Sequence, residues 1–281
     1  EANYRTVADL RNALRDRLQN AANQLDGASV GDPFTVAAMQ NKLGRSLQRL
    51  GEPQRAKALF TKALETFRTA DDPASQDVLD ALNNLAVCEL DTGNPSAAIP
   101  PLEEALRGRE AKLGLSDPTT IAGMRNLAGA YLFTGDTDRA EKLVKRALDA
   151  ATTNLGATNI ETLRCMSSLS HLYTMTHRAG EAIPLIQQTI KGQTEALGRD
   201  HPDTLVSLLG LANAYGESGK GPLALMTLES AHTRARGALG DDHLVTINIA
   251  CQLATIYWGM HRLPESIQLF ERAVVNQEKR L

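Results

Sequence analysis

Four tyrosines, Tyr131, Tyr173, Tyr215 and Tyr257, stand 42 residues apart along the chain. Leu43, Leu85, Leu127, Leu169, Leu211 and Leu253 keep the same step. So do Ala56, Ala98, Ala140, Ala182 and Ala224, a column that Ser266 closes. Gly51, Gly93 and Gly135 begin another, continued by His177, Gly219 and His261. Ala63, Ala105, Ala147, Thr189, Ala231 and Ala273 form a further one. Several independent columns with one period define a repeat array, in which each unit buries its apolar faces only against its neighbours. Residues 200–231, DHPDTLVSLLGLANAYGESGKGPLALMTLESA, show the unit. Asp-His-Pro opens a turn, and Leu205, Leu208, Leu211, Ala212 and Tyr215 follow at helical spacing. Gly219-Lys220-Gly221 breaks the run, and a second helical pattern goes through Ala224 and Leu228 to Ala231.

The period predicts an all-α solenoid of antiparallel helix pairs. First helices are expected at 34–50, 75–91, 118–134, 160–176, 202–218 and 244–260. Second helices are expected at 53–69, 95–112, 137–154, 179–196, 221–238 and 263–280. A helix over 3–25 precedes them, with Val7, Leu10, Leu14, Leu18, Ala21 and Leu25 as its stripe. Ala21 lies 42 before Ala63, so this helix reads as half of an earlier repeat, or as a cap. Residues 1–30 are thus a capping helix or half repeat, and 31–281 an array of six repeats. Pro53, Pro95, Pro222 and Pro264 fall in first turns, where the missing N–H costs little. Pro100, Pro101 and Pro184 lie one turn deeper and predict a bend without a break. In Asp32-Pro33, Asp72-Pro73 and Asp117-Pro118 the Asp can cap the helix that follows, and His201-Pro202 marks the equivalent turn. The first inter-repeat connection is expected to be about three residues shorter than the second.

Aromatics make up only 4% of the chain, so close helix packing rests on small residues. The net charge of −3 gives no reason to expect nucleic acid or an anionic membrane as partner. Cys88, Cys165 and Cys251 share no column and no short spacing, which predicts reduced thiols in a cytoplasmic protein. No apolar run approaches a membrane span, and no signal peptide is expected. The chain opens and closes without an initiator Met or a polar tail, and reads as a segment of something larger.

The residues Leu127-Ala128, Tyr131, Gly135, Ala140 and Ala147 resemble the signature of the tetratricopeptide repeat. The 42-residue unit, its Leu-Gly end and its His-Pro turn are similar to the repeats of kinesin light chains. Ala196-Leu197-Gly198-Arg199-Asp200-His201-Pro202-Asp203-Thr204 and Asn83-Asn84-Leu85-Ala86 carry that likeness. The Ala-Ile-Pro triplets at 98–100 and 182–184 also look like the tails of bacterial serine/threonine kinases and similar signalling proteins, although no HRD, DFG or Gly-rich loop occurs here. The resemblance implies a right-handed superhelix whose first helices line a concave groove. It places Asn41, Arg45 and Arg49 on that wall, then Asp80, Asn83 and Asn84, then Ala122, Arg125, Asn126 and Gly129. Arg164, Ser167, Ser168 and His171 continue it, followed by Leu209, Gly210 and Asn213, and by Asn248, Gln252, Thr255 and Trp258.

These residues suggest one chemistry. Asn carries both a donor and an acceptor, so a row of Asn can pair with any peptide backbone. Arg45, Arg49, Arg125 and Arg164 would favour carboxylates. Gly129, Ser167 and Gly210 leave room for ligand side chains. The expected function is a non-catalytic scaffold for a protein or peptide, acidic in part, with no cofactor. The alternatives are an assembly module, and a regulatory segment of a larger signalling enzyme. His171 is a candidate reader of pH or carboxylate. His201 and His243 occupy equivalent turns one repeat apart and predict turn stabilisation, not a metal site. Gly216–Gly221 lacks phosphate-loop spacing, and Asp136-Thr137-Asp138 lacks the later ligands of a calcium loop. Trp258 cannot share a face with Tyr257, so it is an interface anchor or packs on a further element. The last helix, with Ile267, Phe270 and Val274, has no repeat to cover it and is expected to contact another copy or further chain.

Overall fold

Caps and stops, more than propensity, decide where these helices begin and end. The computed structural model describes residues 7–27, 31–70, 72 and 74–278. It is all-helical, with thirteen helices and no strand among the described residues. They are α1 (Val7–Gly27), α2 (Pro33–Arg49), α3 (Pro53–Phe67), α4 (Gln76–Asp91), α5 (Pro95–Leu113), α6 (Pro118–Phe133) and α7 (Thr137–Leu155), followed by α8 (Ile160–Met175), α9 (Ala179–Leu197), α10 (Pro202–Glu217), α11 (Gly221–Leu239), α12 (Leu244–Gly259) and α13 (Leu263–Glu278). Residues 3–6 and 279–280, where the sequence also predicts helix, lie outside the described residues.

First helices start on a side-chain acceptor. Asp32 accepts from the Thr35 amide, Asp117 from those of Thr119 and Thr120, and Asn159 from that of Glu161. His201 and His243 cap through Nδ1, which accepts from the amides of Asp203 and Val245 at 3.1 and 3.2 Å. Asp72 departs from the expected pattern. It accepts from the Ala74 amide, and Ser75 is the residue that caps α4. The first inter-repeat connection is also longer than the second, not shorter: it covers 68–75, against 114–117. The cause is a missing stop signal. α5, α9 and α11 end on Leu-Gly, and Gly114, Gly198 and Gly240 take φ of 78°, 99° and 88°. At the matching place the sequence has Asp71-Asp72, and α3 stops four residues early.

First helices end in one repeated motif. The residue of the glycine column enters the left-handed region, and the next amide reaches back to the carbonyl five residues earlier. Examples are Asp136 to Tyr131, Arg178 to Tyr173 and Arg262 to Tyr257. The motif also delivers an arginine onto the tyrosine ring, with Arg178 at 4.2 Å and Arg262 at 4.1 Å from the ring centres. The Tyr131 and Tyr257 hydroxyls donate to Glu103 and Glu229 on the preceding second helix. Burial first, and those carboxylates second, hold both phenols above their ordinary pKa. His177 and His261 stand where glycine belongs, at φ of 57° and 58°. A side chain there carries a backbone cost of about 1 kcal/mol or more, which the entropy of glycine partly offsets. His261→Gly is therefore expected to stabilise the chain by about 0.5–1 kcal/mol, read as a higher urea midpoint.

The helices group into two compact units, residues 1–143 and 144–281, divided within α7. In each unit helices pack on their sequence neighbours, as in a repeat solenoid. In the first unit Leu47, Leu59 and Phe60 pack with Ala22 and Cys88, while Ala63, Leu64 and Phe67 pack with Val78, Ala81 and Leu82. On α1 Ala22 is buried and Ala21 only half-buried, so the column slips by one there, and Leu14 is exposed. In the second unit Leu205, Leu228 and Ala231 pack with Ile249, Leu253 and Tyr257. Pro100, Pro101 and Pro184 lie inside helices that continue through them.

Candidate functional site: the first-helix walls

On α4 the side chains of Val78, Leu79, Ala81, Leu82, Ala86 and Cys88 are buried. The open face therefore carries Asp80, Asn83 and Asn84. In the first unit Asn84 Nδ2 donates to Asn41 Oδ1 at 3.0 Å, and Asn126 Nδ2 donates to Asn83 Oδ1 at 3.1 Å. The asparagines thus tie adjacent first helices together before any ligand arrives. Only part of their hydrogen-bonding capacity faces outward. Asp80 is also engaged: it accepts from the Arg109 guanidinium at 2.8 Å and from Gln76 at 2.9 Å. Arg45 and Arg49 are one turn apart on α2, exposed, and without a partner among the described residues. Arg125 is half-buried and takes part in interactions of its own. Ala122 and Gly129 are half-buried on α6.

In the second unit the expected cation is already paired. Arg164 contacts Glu161 at 2.8 Å and Asp203 at 3.4 Å, so it does not stand open to an acidic ligand. Ser167 and Ser207 are hydrogen-bonded across α8 and α10 at 3.2 Å, and Ser168 and Leu209 are half-buried. Thr255 donates to the Cys251 carbonyl. Asn248 is exposed, and Trp258 is 63% exposed while Tyr257 beside it is buried. His171 stands exposed on the wall, and desolvation by the atoms packed around its imidazole lowers its pKa.

Two depressions open on this wall. One of about 110 Å³ is lined by Ser167, Ser170, His171, Val206, Ser207 and Gly210. The other, about 470 Å³, is bounded by His171 and Met175 on α8, Asn213 and Glu217 on α10, and Gln252 and Ile256 on α12. Met175, Glu217 and Ile256 carry no repeat signal of their own. The helical step from His171, Asn213 and Gln252 to the residue four further on is the pattern that places them here.

Burial pushes the Cys88 thiol up to about 12, and Asp91 and Glu89 add to the shift. Burial also raises Cys251, and none of the three cysteines is in a disulfide. No cluster of three metal-ligating side chains occurs among the described residues, and no described helix is long and apolar enough to cross a membrane. Gly216–Gly221 covers the end of α10, the turn 218–220 and the first residue of α11, and Asp136 accepts from the Arg139 amide at the start of α7.

The model of the tetratricopeptide repeat family matches residues 35–111, 119–195 and 208–279. No curated protein matches the sequence significantly. Among solved structures the fold is similar to a kinesin-light-chain-type protein of nearly identical TPR-like repeats from Podosopora anserina, with TM-score 0.60, 23% identity, and 74% of this chain and 98% of that one covered. BtubC (BKLC) from P. vanneervenii gives a TM-score of 0.61 at 18% identity, covering 83% of this chain and 92% of that one. A Rap protein complexed with Competence and Sporulation Factor gives 0.69 at 16% identity, covering 97% and 71%.

Proposed function

The chain belongs to the tetratricopeptide repeat family, in its kinesin-light-chain-like variety, and we propose that it is a non-catalytic scaffold that holds a peptide or protein segment against its first-helix walls. Proteins of this fold generally act as interaction scaffolds, and a Rap protein of similar fold has been crystallised with Competence and Sporulation Factor. One observation carries the reading here. Arg45 and Arg49 project from consecutive turns of α2 with no partner among the described residues, beside an asparagine pair that is held in place by Asn84. Two open guanidinium forks at that spacing suit a carboxylate, and the spare amide capacity of Asn41 suits the adjoining backbone.

The test is a peptide array of acidic and neutral twelve-residue sequences, followed by anisotropy titration of the best acidic binder. Arg45→Glu with Arg49→Glu is expected to weaken that peptide at least tenfold, because like charges replace opposite ones. The wild-type affinity should also fall with added salt. Unchanged affinity would remove the acidic assignment. A second reading, self-association, is favoured by α13, where Ile267 and Val274 are 52% and 54% exposed. Sedimentation of the same samples separates the two. A concentration-dependent mass that Ile267→Lys abolishes, with no peptide bound, would favour assembly.

A further inference from the structure

We propose that the larger depression of the second unit receives a lysine or arginine side chain of the bound segment. The inference rests on the scaffold reading and names what this part of the wall selects. Asn213 lines the depression, and its Oδ1 has no hydrogen-bond partner among the described residues, so a donor that reached it would satisfy it. One helical turn further along α10, Glu217 adds a carboxylate on the same side. His177 Nδ1 lies 2.7 Å from Glu217 Oε2, and Oε1 has no partner among the described residues. His171, His177 and Gln252 line the pocket too, and Glu217 is its one carboxylate. Its walls differ in character. Met175 from α8 and Ile256 from α12 flank Asn213 and Glu217 with apolar surface. Apolar sides and acceptors together fit a side chain with an aliphatic stem and a donor-only head.

His177 engages one oxygen of Glu217 and leaves the other open, and the nearby arginines do not compete for this place. Arg164 is paired with Glu161 and Asp203. Arg178 pairs with Glu181 and stacks on Tyr173. An acidic side chain would meet Glu217 and the unsatisfied Asn213 oxygen, and both would repel it. The preference is thus opposite to the one at Arg45 and Arg49.

The full chain, carrying ¹³C-methyl labels on Met and Ile, provides local reporters at Met175 and Ile256. The probes are N-acetyl-lysine methylamide, its norleucine counterpart, agmatine, and a ten-residue neutral peptide with one central lysine. Saturable shifts of both methyls with the lysine compounds are expected, at least tenfold weaker with norleucine. Glu217→Gln, at an exposed site, and Asn213→Ala should each weaken lysine at least fivefold while the methyl spectrum stays folded. Norleucine shifts equal to those of lysine, or a Glu217→Gln variant that binds lysine as before, would overturn the proposal. Agmatine binding tighter than the lysine peptide would assign the pocket to a free amine and equally overturn it. Failure here with acidic peptides still bound at Arg45 and Arg49 would leave the scaffold reading standing. Failure at both walls would remove it too.

Discussion

Arg109→Ala is expected to lower the stability of the first unit by about 3 kcal/mol. Arg109 is 4% exposed, and its guanidinium ties three helices together. It donates to Asp80 at 2.8 Å and the Leu79 carbonyl at 3.4 Å on α4, and to the Thr119 carbonyl at 3.3 Å on α6. Removing one partner of a buried ion pair typically costs about 3–5 kcal/mol, because the charge left behind loses its compensation. The low end applies here, since Asp80 is 38% exposed and water can reach it. Truncation also opens a void beside Gly123, whose backbone the guanidinium approaches. Arg109→Met keeps the stem and should recover part of the loss, while Asp80→Asn should cost about 1–2 kcal/mol. Repeat arrays need not unfold in one step. The effect is therefore read as earlier loss of protection in α4–α6 amides by hydrogen exchange across a urea series. Loss of less than about 1 kcal/mol would mean that the ion pair behaves as an exposed one.

Periodicity made the fold legible, because burial repeats with the sequence. Tyr131, Tyr173 and Tyr257 are buried at one register position, and the glycine column turns left-handed at every member, including His177 and His261. Departures occur where a signal is missing. α3 ends early because the Leu-Gly stop is absent, and α1 settles one residue out of phase. The candidate site was legible only as a set of faces. Column analysis compares residues 42 apart, whereas contacts join unlike positions. Asn84 meets Asn41 at a separation of 43, Arg164 meets Asp203 at 39, and Arg109 meets Asp80 at 29. Whether an Asn or Arg on an open face is already engaged by a neighbour depends on those offsets. That is why Arg45 and Arg49 stand open while Arg164 does not.

Gly44→Ala is expected to destabilise the first unit by about 2 kcal/mol, although the same change in an ordinary helix interior gains up to about 1 kcal/mol. A Cβ at Gly44 would sit 2.6 Å from Phe60 Cε1 and 3.0 Å from two further ring carbons. Phe60 is fully buried between α2 and its neighbours, so the ring has nowhere to move. Overpacking of this kind costs about 1–3 kcal/mol, and a flat rigid ring places the cost near the top of that range. Gly108 and Gly192 make the same close approach to Leu79 and Leu163. A leucine methyl can rotate aside, so alanine there should cost less. Gly129 supplies the control: nothing lies within 4 Å of its Cβ position, and Gly129→Ala should stabilise by up to about 1 kcal/mol. Phe60→Leu removes the obstructing ring edge. In the Gly44→Ala background it should cost less than it does alone, a favourable coupling measurable in a double-mutant cycle. Equal stabilisation by Gly44→Ala and Gly129→Ala in urea titrations would show that α2 and α3 are not packed closely enough to require a glycine, and the account of how each helix pair closes would fail with it.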